Sequence, residues 1–272
     1  MPRIAVLQMT SGIDPEVNYS TLEAAAIEAG KGGAEILFTP EMSLLLDRDR
    51  SRAGPWIEST EPKRISDRLA RLSAEAGLDL AIGSMPLMGA NGRWANRSFY
   101  FGGSLGLRTT YDKIHMFDVQ LSNGESWRES AAYEPGTQVV TVDDTPLGRL
   151  GLTICYDMRF PALFEQLGQR KCDAIAVPAA FTVPTGRDHW HVMLRARAIE
   201  ASAFVIAAAQ VGQHEDGRET YGHSLVVDPW GKVLLDMGRA TPGLAYCDID
   251  LSRIEEVRSQ LPSLANRRPI AN

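Results

Sequence analysis

Cysteine is scarce in this sequence. Cys155, Cys172 and Cys247 form an odd set of three with no Cys-x-x-Cys pair. A disulfide framework is therefore not expected, and a reducing, cytoplasmic setting is. Histidine is limited to five residues, without a His-Glu-x-x-His pattern. Basic charge is also short: 28 Lys and Arg stand against 34 Asp and Glu, for a net charge of −6. The basic excess of a general nucleic-acid binder is missing. Long apolar runs are missing too. Residues 203–209 are among the longest, far below the ~18 needed to cross a bilayer. The run at 4–9 is too short for a signal-peptide core and reads as a first strand. Neither nucleic acid nor membrane is an expected partner.

What is present is an ordinary globular composition. The chain has 272 residues, 44% hydrophobic and 23% charged, enough to bury a large core. No low-complexity linker or compositional break interrupts it, so one domain over 1–272 is expected. Strand-like and helical patterns alternate. Strands are expected at 4–9, 34–38, 78–82, 98–101, 150–154, 173–177, 204–209 and 224–228. Leu22, Ala25, Ala26 and Ala29 recur at helical spacing, with Gly30, Gly32 and Gly33 able to end that helix. Ile65, Leu69, Leu72 and Ala76 mark a second helix closed by Gly77. Pro161 opens a short helix over 161–169. Residues 190–201 read as a long helix with Asp188 as a nearby cap, and Ser252-Arg-Ile-Glu255 is a capping-box pattern for a last one. The stretches 34–40 and 172–178 echo each other weakly, as two similar halves would. This rhythm gives an α/β protein with helices covering sheet faces.

Three residues stand where chemistry collects. Cys155 follows an apolar strand in Gly151-Leu-Thr-Ile-Cys155-Tyr-Asp-Met-Arg-Phe-Pro161. A strand-to-helix turn presents a side chain at a sheet edge, near helix N–H groups that favour a thiolate. An isolated cysteine is more commonly a small core hydrophobe, which is how Cys172 and Cys247 are read. Glu41 follows Leu37-Phe-Thr-Pro40, at the carboxyl end of a strand, where active sites of α/β proteins gather. Lys113 lies in Tyr111-Asp-Lys113-Ile-His-Met-Phe117 and would by itself be a surface lysine. As a set, the three supply what amide hydrolysis needs: a nucleophile, a proton carrier and a positive group for the oxyanion. Their mutual proximity is an expectation.

The stretches around Glu41, Lys113 and Cys155 resemble the three signature regions of the nitrilase superfamily, and the resemblance runs from Ile4 to Pro269. It implies an α-β-β-α four-layer sandwich of the carbon–nitrogen hydrolase type that pairs face to face, at least as a homodimer. It also implies Cys155 as nucleophile, Glu41 as general base and then acid, and Lys113 as stabiliser of the tetrahedral intermediate. Glu129 takes the place of a second active-site glutamate, orienting Lys113 or helping to position substrate or water. The backbone N–H of Tyr156 joins Lys113 at the oxyanion. Arg159 would meet an acidic substrate group with its two-pronged guanidinium, and Phe181 and Thr182 are assigned to the same substrate site. No cofactor is implied.

Competing sites are weaker. His189-Trp-His191 lacks further ligands in sequence, and side chains two apart on a helix diverge, so no metal is expected. Gly30-Lys-Gly-Gly33 is no Walker pattern. Arg195 and Arg197 read as a polar helix face or an interface contact. Within the superfamily, residues 190–200 and 214–231 are most similar to the deaminated-glutathione amidases, which release 2-oxoglutarate and cysteinylglycine. The ω-amidases acting on 2-oxoglutaramate come next, then enzymes of carbamoyl amino acids or nitriles. A non-catalytic scaffold on the same fold is the reading of another class. It would show no unusually reactive thiol toward iodoacetamide.

Overall fold

A computed structural model of the chain describes residues 1–120, 124 and 126–268. Pro269, where the family resemblance ends, and the residues after it lie outside the described residues. Two six-stranded mixed sheets carry the fold. The first runs Gly243–Asp248, Arg3–Gln8, Ile36–Phe38, Asp79–Met88, Trp94–Gly102, Gly106–Asp112. The second runs Val233–Asp236, Leu225–Val227, Phe204–Ala207, Ala174–Ala176, Gly148–Leu152, Val140–Thr145. In each sheet a parallel trio is flanked by antiparallel strands. The two stretches that echo each other in sequence supply the middle strand of each trio. A strand there is covered on both faces, which demands a short unbroken apolar run.

Alternation along the strands builds the layers. Ile4, Val6, Ile36, Phe38, Ala81 and Tyr100 point into a core shared with Leu150, Leu152, Ile175 and Val205 of the second sheet. Their neighbours Ala5, Leu7, Leu37, Leu80, Ile82 and Phe101 pack on helices Pro15–Lys31 and Glu61–Ala76 through Leu22, Ala26, Leu69 and Leu72. Helices Pro161–Gln169 and His191–Ala201 close the other side with Phe164, Leu167, Leu194 and Ala198. The result is helix, sheet, sheet, helix.

Helix ends agree with the sequence where a glycine decides them and differ where a side chain was expected to. Gly77 caps its helix in the left-handed region at φ 68°. Asp188 caps nothing. The chain already turns helically from Val183, and Asp188 sits within a wide turn over Gly186–Trp190, so the helix His191–Ala201 has no free first turn for it. The Ser252–Glu255 box does not form either. Asp250 lies two residues upstream and accepts from both Ser252 N (3.1 Å) and Ser252 Oγ (2.6 Å). Arg197 is not on a solvated face: its buried guanidinium donates to the Met158 carbonyl at 2.6 Å, behind the Cys155 turn. Cys172 is a core residue, whereas Cys247, on the edge strand Gly243–Asp248, is only half-buried.

Candidate active site

Glu41, Lys113 and Cys155 each follow the carboxyl end of a strand: Ile36–Phe38, Gly106–Asp112 and Gly148–Leu152 respectively. All three are buried and line one open pocket of about 1050 Å³. Glu129, Tyr156, Phe181 and Thr182 line it too. Arg159 does not. Its guanidinium lies 5.8 Å from the centre of the Tyr156 ring and 5.4 Å from that of Phe181, beside His189 Nδ1 at 3.2 Å. Arg48, Arg50, Arg128 and Arg218 are the arginines of the pocket wall.

Backbone geometry sets Glu41 in place. Thr39 N donates to the Ala81 carbonyl, and Ser43 N to the Ser84 carbonyl. Gly83 makes this approach possible, because a Cβ there would meet the Thr39 and Pro40 carbonyl oxygens at 2.2 Å. The Glu41 carboxylate accepts Lys113 Nζ and Asn96 Nδ2 on Oε1, both at 2.9 Å, and Ala180 N on Oε2 at 2.9 Å. Lys113 Nζ also meets Glu129 Oε2 at 2.9 Å and Oε1 at 3.1 Å. Asn96 Nδ2 reaches Glu129 Oε1 at 3.2 Å, so one amide ties both carboxylates. Glu129 is held in turn by Phe117 N at 2.6 Å.

Cys155 sits in the left-handed region at φ 47°, a conformation a non-glycine residue keeps only when its surroundings enforce it. Its N–H donates to the Pro178 carbonyl at 2.8 Å. Asp157, fully buried two residues on, does most of the fixing. It accepts Ile154 N at 2.9 Å, Tyr111 OH at 2.7 Å and His115 N at 3.0 Å, with His115 Nδ1 at 2.7 Å. One carboxylate thereby joins the Cys155 turn to the Lys113 segment. Tyr156 N–H, in the first turn after the strand, has no acceptor among the described residues.

The electrostatics favour a neutral thiol at rest. Burial pushes the Cys155 thiol well up, and the Glu41 carboxylate pushes it further, against the pull of Lys113. Burial also works to raise Glu41, but the charge and hydrogen bond of Lys113, with the Ala180 N–H, hold its carboxyl below the usual value. Lys113 is raised: burial opposes its charge, and Glu129 and Glu41 outweigh that. A carboxylate base therefore faces a protonated sulfur across a fixed ammonium.

Asn96 and Asp157 escaped the sequence reading, as did Gln210, whose Nε2 donates to the Glu41 carbonyl at 3.0 Å. Only Asp157 left a signal there, as a carboxylate two residues after the nucleophile. Asp157→Ala should cost roughly 3 kcal/mol of unfolding free energy, because several buried donors lose their acceptor at once. Urea denaturation followed by circular dichroism measures this. A change within ~0.5 kcal/mol, the range of neutral surface substitutions, would rule out the bridging role.

Two facing mixed sheets with helices outside, and a buried Cys, Glu and Lys at their strand ends, define a class. Residues 3–259 match the carbon-nitrogen hydrolase family. The chain belongs to that family, within the nitrilase superfamily, and is a hydrolase acting on amides. It is 37% identical over 272 residues to a deaminated glutathione amidase of Yersinia enterocolitica, covering 99% of this chain and 94% of that one. The NitFhit protein of C. elegans superposes with a TM-score of 0.89 at 34% identity, over 98% of this chain and 65% of that one. Nit3 of Saccharomyces cerevisiae, a member of branch 10 of the nitrilase superfamily, gives a TM-score of 0.85 at 26% identity, over 96% and 94%.

Proposed function

We propose that this amidase hydrolyses deaminated glutathione to 2-oxoglutarate and cysteinylglycine through a thioester on Cys155. The observation that carries the chemistry is the convergence of the buried side chains of Cys155, Glu41 and Lys113 on one pocket. The substrate rests on the likeness to the Yersinia enzyme and on a pocket wall with four arginines, suited to a substrate with carboxylates.

A carboxylate offers about four lone-pair positions. Glu41 uses three, on Lys113, Asn96 and Ala180, and keeps one on Oε2 for a proton. Glu41 takes the thiol proton as sulfur attacks the amide carbon. Lys113 gives one N–H to Glu41 and shares another between the oxygens of Glu129. Its third meets the oxyanion, together with Tyr156 N–H. As the tetrahedral intermediate collapses, Glu41 passes its proton to the departing amine and the acyl-thioester remains. Water then gives a proton to Glu41 and attacks the thioester. Collapse releases the acid, and the proton returns to sulfur. Phe181 and Thr182 contact the acyl chain, and Arg159, at the edge of the same wall, attracts its carboxylate.

We further read the chain as one domain and a homodimer in the cytoplasm. Val192 and Ile199 share one helix face and are 61% and 43% exposed. Trp230 precedes Gly231, which packs on Ile199, and is 49% exposed, an apolar patch suited to a second copy. The cysteines are free, as a reducing compartment keeps them.

A release assay across deaminated glutathione, 2-oxoglutaramate, carbamoyl amino acids and nitriles tests the substrate. Deaminated glutathione should give the highest kcat/KM. A better nitrile or carbamoyl substrate would sink that assignment. Arg159→Lys keeps the charge and loses the fork, so KM should rise for oxo-acid amides and change less for neutral ones. Equal losses would remove Arg159 from substrate recognition.

A further inference from the structure

His191 and His189 diverge, as their spacing requires, but His191 meets different partners. Its Nε2 lies 3.0 Å from Asp236 Oδ2, and His223 Nδ1 lies 2.8 Å from Asp236 Oδ1. These ligand-type atoms all fall within 4.8 Å of one another. They come from helix His191–Ala201, the turn before Leu225–Val227, and strand Val233–Asp236. None of the three residues lines the catalytic pocket.

We propose that His191, His223 and Asp236 form a binding site for one zinc-type divalent ion, separate from the catalytic pocket. Zinc bonds to imidazole and carboxylate are about 2.0–2.2 Å, so neighbouring ligand atoms of a tetrahedral site lie a little over ~3 Å apart. The two nitrogen–oxygen contacts, each to its own carboxylate oxygen, open by a few tenths of an ångström, and the two imidazole nitrogens, within 4.8 Å of each other, draw in around the ion. Two imidazoles and one carboxylate suit zinc, copper or nickel, and not magnesium or calcium, which take oxygen ligands. The side chains of His191, His223 and Asp236 are 36%, 21% and 33% exposed, which leaves room for water at the fourth position.

A second observation is independent of these distances. His223 holds φ 54°, in the left-handed region. Both its backbone groups are fixed there: its N–H donates to the Gly238 carbonyl, and its carbonyl accepts Trp190 Nε1, each at 2.8 Å. This held backbone sets the direction in which the imidazole leaves the chain. Gly238 N also donates to Asp236 Oδ1 at 2.8 Å, orienting the carboxylate. On coordination each imidazole moves its ring proton to the far nitrogen, so the neutral ring supplies the lone pair. The ion would pin the His223 turn to Trp190, which packs on Phe181 of the pocket wall at 4.9 Å between ring centres.

The test uses the full chain carrying Cys155→Ala, so that zinc on the active-site thiol is not counted. The metal-free protein is titrated with zinc against a chromophoric chelator and by calorimetry. One saturable equivalent is expected, with magnesium not competing. His191→Ala, His223→Asn and Asp236→Ala should each weaken it at least ~10-fold, the lower end of what loss of even an outer-shell partner costs a metal site. His223→Asn tolerates the left-handed backbone, so it separates loss of a ligand from loss of fold, checked by circular dichroism. Absence of a bound equivalent overturns the site. So does zinc affinity unchanged by His223→Asn in folded protein.

Discussion

Cys155→Ala is expected to lower amide hydrolysis by at least ~10⁴-fold, since removing a covalent nucleophile from a working set costs that much or more. No neighbour can replace the sulfur. Cys172 is buried in the core, Cys247 lies on an edge strand, and neither lines the pocket. The substitution removes one atom and leaves the left-handed backbone at 155 to be held by Pro178 and Asp157. The variant should therefore stay folded and still bind substrate, which isothermal titration can show. In wild type, mass spectrometry during turnover should find an acyl adduct on Cys155. Near-wild-type activity in Cys155→Ala would end the covalent mechanism and the triad together.

Lys113→Met should cost at least ~10²-fold in kcat, the scale of losing one oxyanion donor. It should also do something a pure oxyanion donor would not. Lys113 is what holds the Glu41 carboxyl below its ordinary value of 4.5 against burial. In wild type the base form of Glu41 therefore persists at neutral pH, and the acid limb of kcat/KM falls below pH 4.5. That profile reports the free enzyme. Without the ammonium, burial is opposed by weaker hydrogen bonds such as that of the Ala180 N–H, and the carboxyl titrates higher, so the limb moves upward. Glu129, left with Asn96 and Phe117 N as its donors among the described residues, should lose order as well. Glu41→Gln, by contrast, should remove the Glu41 limb and slow acylation of a folded protein. A Lys113→Met enzyme with an unmoved acid limb would show that Lys113 does not set the base.

Local rules were legible in the sequence. Short unbroken apolar runs marked the central strands of both sheets, because burial on both faces admits little else. Gly77 and Pro161 marked helix ends, because backbone geometry at those positions is a property of the residue itself. Strands such as Gly106–Asp112 and Val140–Thr145 were not legible. They lie outside the parallel trios, and their inner and outer residues are mixed in polarity. Caps at Asp188 and Ser252 failed because the neighbouring chain, not the motif, decided which first-turn groups were free.

The sequence by itself determined which residues could do the chemistry: an activated cysteine, a glutamate and a lysine in motifs at strand ends. Tertiary structure decided that they meet, and in what protonation state. Glu41 and Lys113 are 72 residues apart, yet they share one hydrogen bond at 2.9 Å. Asn96 ties Glu41 to Glu129, and Asp157 ties the Lys113 segment to the Cys155 turn. Whether a buried thiol is neutral and a buried carboxylate charged depends on distances and desolvation, and these exist only once the chain has folded. The same holds for His191, His223 and Asp236. Separations of 45 and 13 residues from Asp236 hide a trio that only the packing of a helix, a turn and a strand brings together.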